Sequence, residues 1–313
     1  MSEPFRLTRD RAGYDPSKPT APLLTVPSGA RLIVETEDSR WGKVRSPEAA
    51  TPEGLRRYAA ERDAAGRGNA VTGPIDVEGA EPGDLLAVAI ESVVPDALGY
   101  TGTWPFMQPD WLTDPITHFV RVRGDRVEWS DRVSFPVRPM IGELGCTPPV
   151  ESGLGSKPGP WGGNMDCPDV RPGSTLLLPV ARAGAGFYVG DCHAAQGDGE
   201  FCGGGIEVRA EVTLTLTVLK GRPAAMTWPR IETPDTLVVV AAARHLEDAL
   251  NLAVRDLCLW MRDDHGIDPV EAFMLATQVA DGHACQVLPG TEGPHVMRVR
   301  YPRAMLPRPG APS

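Results

Sequence analysis

Ile206-Glu207-Val208-Arg209-Ala210-Glu211-Val212-Thr213-Leu214-Thr215-Leu216-Thr217-Val218 alternates apolar and polar residues over its whole length. Side chains of a strand point to opposite faces in turn. The pattern therefore predicts an antiparallel strand with one face on the core and the other, starting at Glu207, in solvent. Working outward, shorter runs at 31–36, 85–94, 118–122, 126–129, 174–179 and 187–190 carry the same signal. The 34 glycines and 32 prolines cut the chain into segments of roughly ten residues, which favours many short strands over long helices. The expected fold is mainly β: sandwich- or barrel-like antiparallel sheets with a small C-terminal helical hairpin, in a single domain over residues 1–313.

Helices announce themselves at three places. Thr51-Pro52-Glu53 offers a cap and a first-turn proline to a short helix over 55–65, which Gly66 and Gly68 end. Between His245 and Asp264, the residues Leu246, Ala249, Leu250, Ala253, Leu257 and Trp260 recur at three- and four-residue spacing, the stripe of an amphipathic helix. Asp268-Pro269-Val270-Glu271 then supplies an N-cap, a first-turn proline and a returning carboxylate before 272–280. The pair, about 244–281, reads as a hairpin of helices packed on the sheets. The proline-rich tail, 302–313, has little to bury and is expected to be extended or loose.

Composition excludes several function classes. A net charge of -10 with no basic stripe gives no footprint for phosphate backbones, so no nucleic-acid partner is expected. The first fifteen residues are polar and mixed in charge, and the best apolar runs, 176–181 and 237–243, are too short to span a bilayer. No membrane partner and a cytoplasmic location are expected. The six cysteines form no Cys-x-x-Cys pair and read as reduced thiols of ordinary packing.

The chemistry concentrates in Gly190-Asp191-Cys192-His193-Ala194-Ala195-Gln196-Gly197-Asp198-Gly199-Glu200, one imidazole and three carboxylates around glycines that allow sharp turns. On a strand ending at His193, alternation puts Asp191 and His193 on one face. The loop beyond can fold back and bring Asp198 or Glu200 to the same place. A second cluster, Gly162-Gly163-Asn164-Met165-Asp166-Cys167-Pro168-Asp169, is ambiguous on its own, since Asn-x-Asp in a glycine-rich loop also makes Asx-turns. Glu35, Glu37 and Asp38 close a strand, where solvated carboxylates are common.

Gly163-Asn164-Met165-Asp166, then Pro172-Gly173-Ser174-Thr175-Leu176, then Val189 through Glu200 resemble the signature of the acetamidase/formamidase family. Residues 72–84 (Thr-Gly-Pro-Ile-Asp-Val-Glu-Gly-Ala-Glu-Pro-Gly-Asp), Pro139-Met140-Ile141-Gly142 and Gln286-Val287 follow the family's order. The resemblance implies a mostly β fold, hydrolysis of short aliphatic amides to acid and ammonia by a metal-activated water, a divalent metal (zinc expected) and a homodimer. The chain departs from the pattern at Cys192, where proline is expected, at Cys202-Gly203-Gly204-Gly205, at Gly282-His283-Ala284-Cys285 and in an insertion-like loop around 104–111. These departures leave larger amides and carbamates open as substrates.

Amide hydrolysis needs an activated nucleophile, a donor for the developing oxyanion and a proton shuttle working near neutral pH. The expected metal ligands are His193, Asp191 and Asp166. Glu200 is the expected base and acid, with Asn164 and the backbone N–H groups of Gly162 and Gly163 as oxyanion donors. Asp198 is either catalytic or the cap of its own turn. Asp38, Asn69, Gly163 and Gln196 are the expected substrate contacts, the first two on the resemblance.

Two competing functions remain. Cys192 or Cys202 with His193 as base would make a thiol amidase, although alternation turns Cys192 away from His193. A β module binding metal or carbohydrate without turnover would need the ligands but not Glu200. Serine chemistry is disfavoured, because Ser152, Ser156 and Ser174 lie near Lys157 without a Ser-Ser-Lys pattern and Gly-x-Ser-x-Gly is absent.

Overall fold

The alternating segment is the strand Glu207–Leu219, and Val208, Ala210, Val212, Leu214 and Leu216 are at most 2% exposed in the computed structural model. The structure describes residues 3–18, 20–103, 112–148, 157–220, 226–288 and 293–307. Ser152, Ser156, the loop 104–111 and the last six residues of the tail lie outside them. The strand is flanked on both edges, pairing antiparallel with Ala30–Thr36 and with Leu85–Thr103.

Leu85–Thr103 runs well past the expected end at Val94. Its pairing shifts register near Pro95, between the partners Val208 and Ala210. A bulge there absorbs the missing proline N–H and lets the strand bend and continue. All the described strands join in one hydrogen-bonded network. It is mainly antiparallel, with two short parallel edges where Phe5–Leu7 meets Ala30–Thr36 and Leu24–Val26 meets Val71–Val77.

The fold has two main apolar centres. One lies between the sheet layers and includes Leu32, Val34, Leu86, Ile141, Val212 and Phe187. The other seals the helical hairpin to the sheet through Leu237, Val239, Leu257, Trp260, Met261 and Tyr301. The hairpin consists of Leu246–His265, closed by left-handed Gly266, and Pro269–Val279, whose cap Asp268 accepts from the N–H groups of Val270 and Glu271. Asp256 is buried on the first of these helices, where its carboxylate accepts from Arg230 Nε (2.7 Å), Thr227 and Trp228. The upstream helix Pro52–Ala64 starts at Thr51, whose hydroxyl accepts from Gly54 N. The tail is more ordered than expected as far as it is described. The strand His295–Pro302 leads into a 3₁₀ turn, Arg303–Met305, held by a bond from the Tyr301 hydroxyl to Met305 O.

Candidate active site

The strand Phe187–His193 is buried at every residue and pairs antiparallel with Met140–Gly145. At its end it meets the alternating strand, with Cys192 opposite Val208 and His193 opposite Glu207. Directly paired residues project to the same face. Glu207 therefore lies beside the imidazole, Oε1 to Nε2 3.1 Å, and Asp191, two residues back, reaches the same nitrogen at 3.5 Å. The expectation of a solvated Glu207 fails because this end of the polar face closes over the cluster, leaving Glu207 6% exposed.

Two loops supply the remaining carboxylates. Asp166 follows the short strand Gly162–Asn164, and its backbone N–H donates to Gly142 O at 3.1 Å. Glu200 ends a glycine loop pinned by bonds from Gly199 N to Ala284 O (2.7 Å) and from Val287 N to Gly199 O (2.8 Å). Gln286 ties the loops together, its Nε2 donating to Asp166 Oδ2 and to Glu200 Oε2 at 2.8 Å.

The backbone is strained where it aims these groups. Five described non-glycine residues have left-handed φ, and three of them are Asp166 (45°), Asp191 (51°) and Glu200 (45°). Such conformations cost about 1–3 kcal/mol each and persist where the surroundings over-determine them, commonly at functional sites. Gly142 forms the floor. A Cβ there would lie 2.5 Å from Asp166 Oδ1 and 2.9 Å from the backbone oxygen of Asp191.

Gln196 decides which face of His193 meets the carboxylates. Its Nε2 donates to Asp166 O (2.7 Å) and Cys285 O (3.3 Å), so its Oε1 accepts from His193 Nδ1 at 2.8 Å. Nε2 is thereby turned toward Glu207 and Asp191. His193 Nε2, Asp191 Oδ1, Asp166 Oδ1 and Glu207 Oε2 have no hydrogen-bond partner among the described residues. A bare ring nitrogen facing carboxylate oxygens is repulsive, so positive charge must sit among them, as a proton on the ring or as a metal ion.

Burial and mutual repulsion set the protonation of the cluster. Burial pushes the Glu200 carboxyl up to about 8 against the opposing charge of His193. Burial and Glu207 push Asp191 up to about 6. Burial, then Glu200 and Asp191, carry Asp166 well above the carboxylate range. Burial, the largest single influence, acts to raise Glu207, but the charge and hydrogen bond of His193, with hydrogen bonds from Ser39 and Asp191, together hold that carboxyl low. For His193 itself burial favours the neutral ring, yet Glu207 and Asp191 raise it well above its usual value. One imidazolium cannot keep all four carboxyls ionised, and without further positive charge burial leaves Asp166, Asp191 and Glu200 raised. One donor atom each from Asp166, Asp191 and His193 lie within 4.8 Å of one another, as do one each from His193, Glu200 and Glu207. An imidazole among buried, unpartnered carboxylate oxygens fits a divalent cation.

The model of the Acetamidase/Formamidase family matches residues 16–152 and 156–245. The chain belongs to the acetamidase/formamidase family. Among solved structures, the acetamidase of Yersinia enterocolitica is 31% identical with a TM-score of 0.86, over 98% of this chain and 94% of that one. The acetamidase of Bacillus halodurans is 29% identical with a TM-score of 0.83, over 95% and 97%. An acetamidase of Mycolicibacterium smegmatis is 27% identical over 220 residues, 48% of this chain and 53% of that one. The chain spans 53% to 61% of the length of the curated relatives it matches.

In this acetamidase/formamidase chain His193, Asp191, Asp166 and Glu200 converge as expected, and Asn164 and Asn69 border them. Asn69 donates to Asp191 Oδ2 at 2.8 Å and to Asn164 Oδ1 at 3.3 Å. Asp198 lies apart, its carboxylate held by Arg298 (2.7 Å) and His283 (3.1 Å). Asp38 is buried, but its oxygens accept from Tyr100, Arg45 and the backbone of Arg40 and Gly42. Gly162 N–H is used by Gly159 O, and Gly163 pairs with Leu144 in the sheet, so the expected backbone donors are taken up by the sheet and its turn. Cys192 faces away from His193, with Sγ 3.6 Å from Thr36 Oγ1, and burial pushes its thiol up to about 12. Sequence reasoning missed Glu207 and the clamping role of Gln286. Glu207 was hidden inside a regular alternation, and only the strand register reveals it.

Proposed function

We propose that this chain hydrolyses the C–N bond of carboxamides to carboxylate and ammonia, with the short aliphatic amides of its family as the starting class and a divalent metal, zinc, as cofactor. The observation that carries the proposal is His193 Nε2, turned by Gln196 into a nest of unpartnered carboxylate oxygens. His193, Asp191 and Asp166 would hold the ion, with Glu207 beside them. Bound there, a divalent ion supplies Lewis acidity and lowers the pKa of water toward about 7.

The chain's own residues supply the rest. A polar cavity of about 100 Å³, lined by Asn69, Asn164, Asp166, Asp191, Glu200 and Glu207, takes the carboxamide head. Glu200, whose carboxyl burial pushes up to about 8, exchanges a proton there from its ionised form: it accepts one from the attacking water and returns it to the departing nitrogen, which leaves as ammonia. Asn164, whose amide oxygen is engaged by Asn69, donates its N–H to the carbonyl oxygen as that atom gains charge. Gln286 keeps Glu200 and Asp166 in register. No helix among the described residues is long and apolar enough to cross a membrane. A cytoplasmic homodimer completes the proposal.

An ammonia-release assay over formamide, acetamide, propionamide and urea tests it. Wild type releases ammonia from at least one amide. Glu200→Gln, which keeps the shape and loses the proton carrier, falls by a factor of roughly 10² to 10⁴ in kcat. Full activity in Glu200→Gln sinks the assigned role, and metal binding without ammonia from any amide would favour a binding module.

A further inference from the structure

A second cavity adjoins the first, sharing Glu200 and Gly204 in its lining, and it has the opposite character. Its volume is about 550 Å³, and its walls include Trp129, Phe135, Pro136, Phe201 and Ile206. Cavities of roughly 300–1,000 Å³ lined by apolar and aromatic groups hold ligands far larger than acetamide. The wall is built and braced. Trp129 lies at the turn between the paired strands Arg126–Glu128 and Ser134–Pro136. The His118 ring packs on it with centroids 4.2 Å apart, while His118 Nε2–H donates to Trp129 O at 2.9 Å. Phe135 stands 6.4 Å from Trp129, centroid to centroid, on the same hairpin.

We infer, building on the amide-hydrolase reading above, that the substrate is a primary carboxamide whose acyl group carries an aromatic or branched aliphatic side group seated against Trp129 and Phe135. The polar cavity has the scale of the CONH₂ head, and the apolar cavity begins at Glu200, beside the reacting bond. A basic tail finds little to pair with there, since the carboxylate of Asp198 is already held by Arg298 and His283, and the remaining cation of the lining, Arg138, is exposed. In the reaction a water oxygen bonds to the carbonyl carbon and the C–N bond breaks. The water's protons end on ammonia and in solution, leaving the aryl or branched carboxylate.

The test compares kcat/KM for acetamide, phenylacetamide and N-benzylformamide in wild type, Trp129→Ala, Phe135→Ala and Trp129→Phe, with melting curves to show that each variant folds. Burying a ring of this size in an apolar pocket is expected to favour phenylacetamide over acetamide by roughly ten- to a hundredfold. Trp129→Ala and Phe135→Ala should each narrow that ratio by about tenfold, and Trp129→Phe should keep most of it. Calorimetric titration of Glu200→Gln with phenylacetamide gives a readout free of turnover, with binding weakened when Trp129→Ala is added. Acetamide preferred or equal, or a ratio that the alanine variants leave intact, overturns the inference while the hydrolase reading stands. Preference for N-benzylformamide overturns the acyl-side placement. Hydrolysis of no amide at all fails the hydrolase reading, and the inference falls with it.

Discussion

His193 shows how one hydrogen bond sets the chemistry of a site. Gln196 fixes the ring by accepting at Nδ1, and its own orientation is fixed by two backbone oxygens. Such partners of a metal-bound histidine are worth about 10- to 100-fold in metal affinity. Gln196→Ala is therefore expected to weaken metal binding by that factor with the fold intact, as read by competition against a chromophoric chelator. Unchanged affinity would remove Gln196 from the account. The cysteines give a pH-dependent test of the thiol alternative. Burial raises the thiols of Cys146 and Cys192 to about 12, and an acid whose pKa lies above the solution pH stays protonated. At pH 8 roughly one Cys192 in ten thousand is thiolate, so alkylation by iodoacetamide should spare it and Cys146 in the native protein and reach half-buried Cys202 first. Mass spectrometry locates the label. Modification of Cys192 in folded protein, with matching loss of acetamide hydrolysis, would revive the thiol mechanism.

At the scale of elements, the helix Leu246–His265 is joined to the sheet by polar as well as apolar contact. Asp256 and Arg230 are 1% and 4% exposed and form a buried ion pair that also caps the backbone of Thr227 and Trp228. Removing one partner leaves the other charged and buried. Asp256→Ala is expected to cost about 3–5 kcal/mol in urea unfolding, and a loss under 1 kcal/mol would show that the pair is solvated in practice. The helix was legible from its apolar stripe, whereas Asp256 was not, because a carboxylate on the buried face breaks the pattern that reveals the face. Strands divide in the same way. Glu207–Leu219 shows its alternation because one face is largely solvated. Val71–Val77 and Met140–Gly145, which carry the site's framework, are buried on both faces and interrupted by glycine or proline. Period-two reasoning had no purchase on them.

For the whole molecule, the site exists only in the folded sheet. Asp166, the Asp191–His193 strand end, Glu200, Glu207 and Gln286 come from separate segments brought together by strand register and by two glycine loops. The sequence made Asp166, Asp191, His193 and Glu200 legible, because their residue types cluster where ordinary turns do not require them. It did not reveal that Glu207 faces His193, since that follows from the pairing of two strands, nor that Asp198 is drawn away by Arg298 and His283. What the fold creates is a buried group of four carboxyls and one imidazole whose donor atoms lie close enough to hold a cation. The direct measurement is metal content by mass spectrometry of purified wild type and His193→Ala, alongside ammonia release from the same samples. One equivalent of divalent metal per wild-type chain, lost together with activity in His193→Ala, is the predicted result. Active wild type without metal, or His193→Ala retaining both metal and activity, would contradict it.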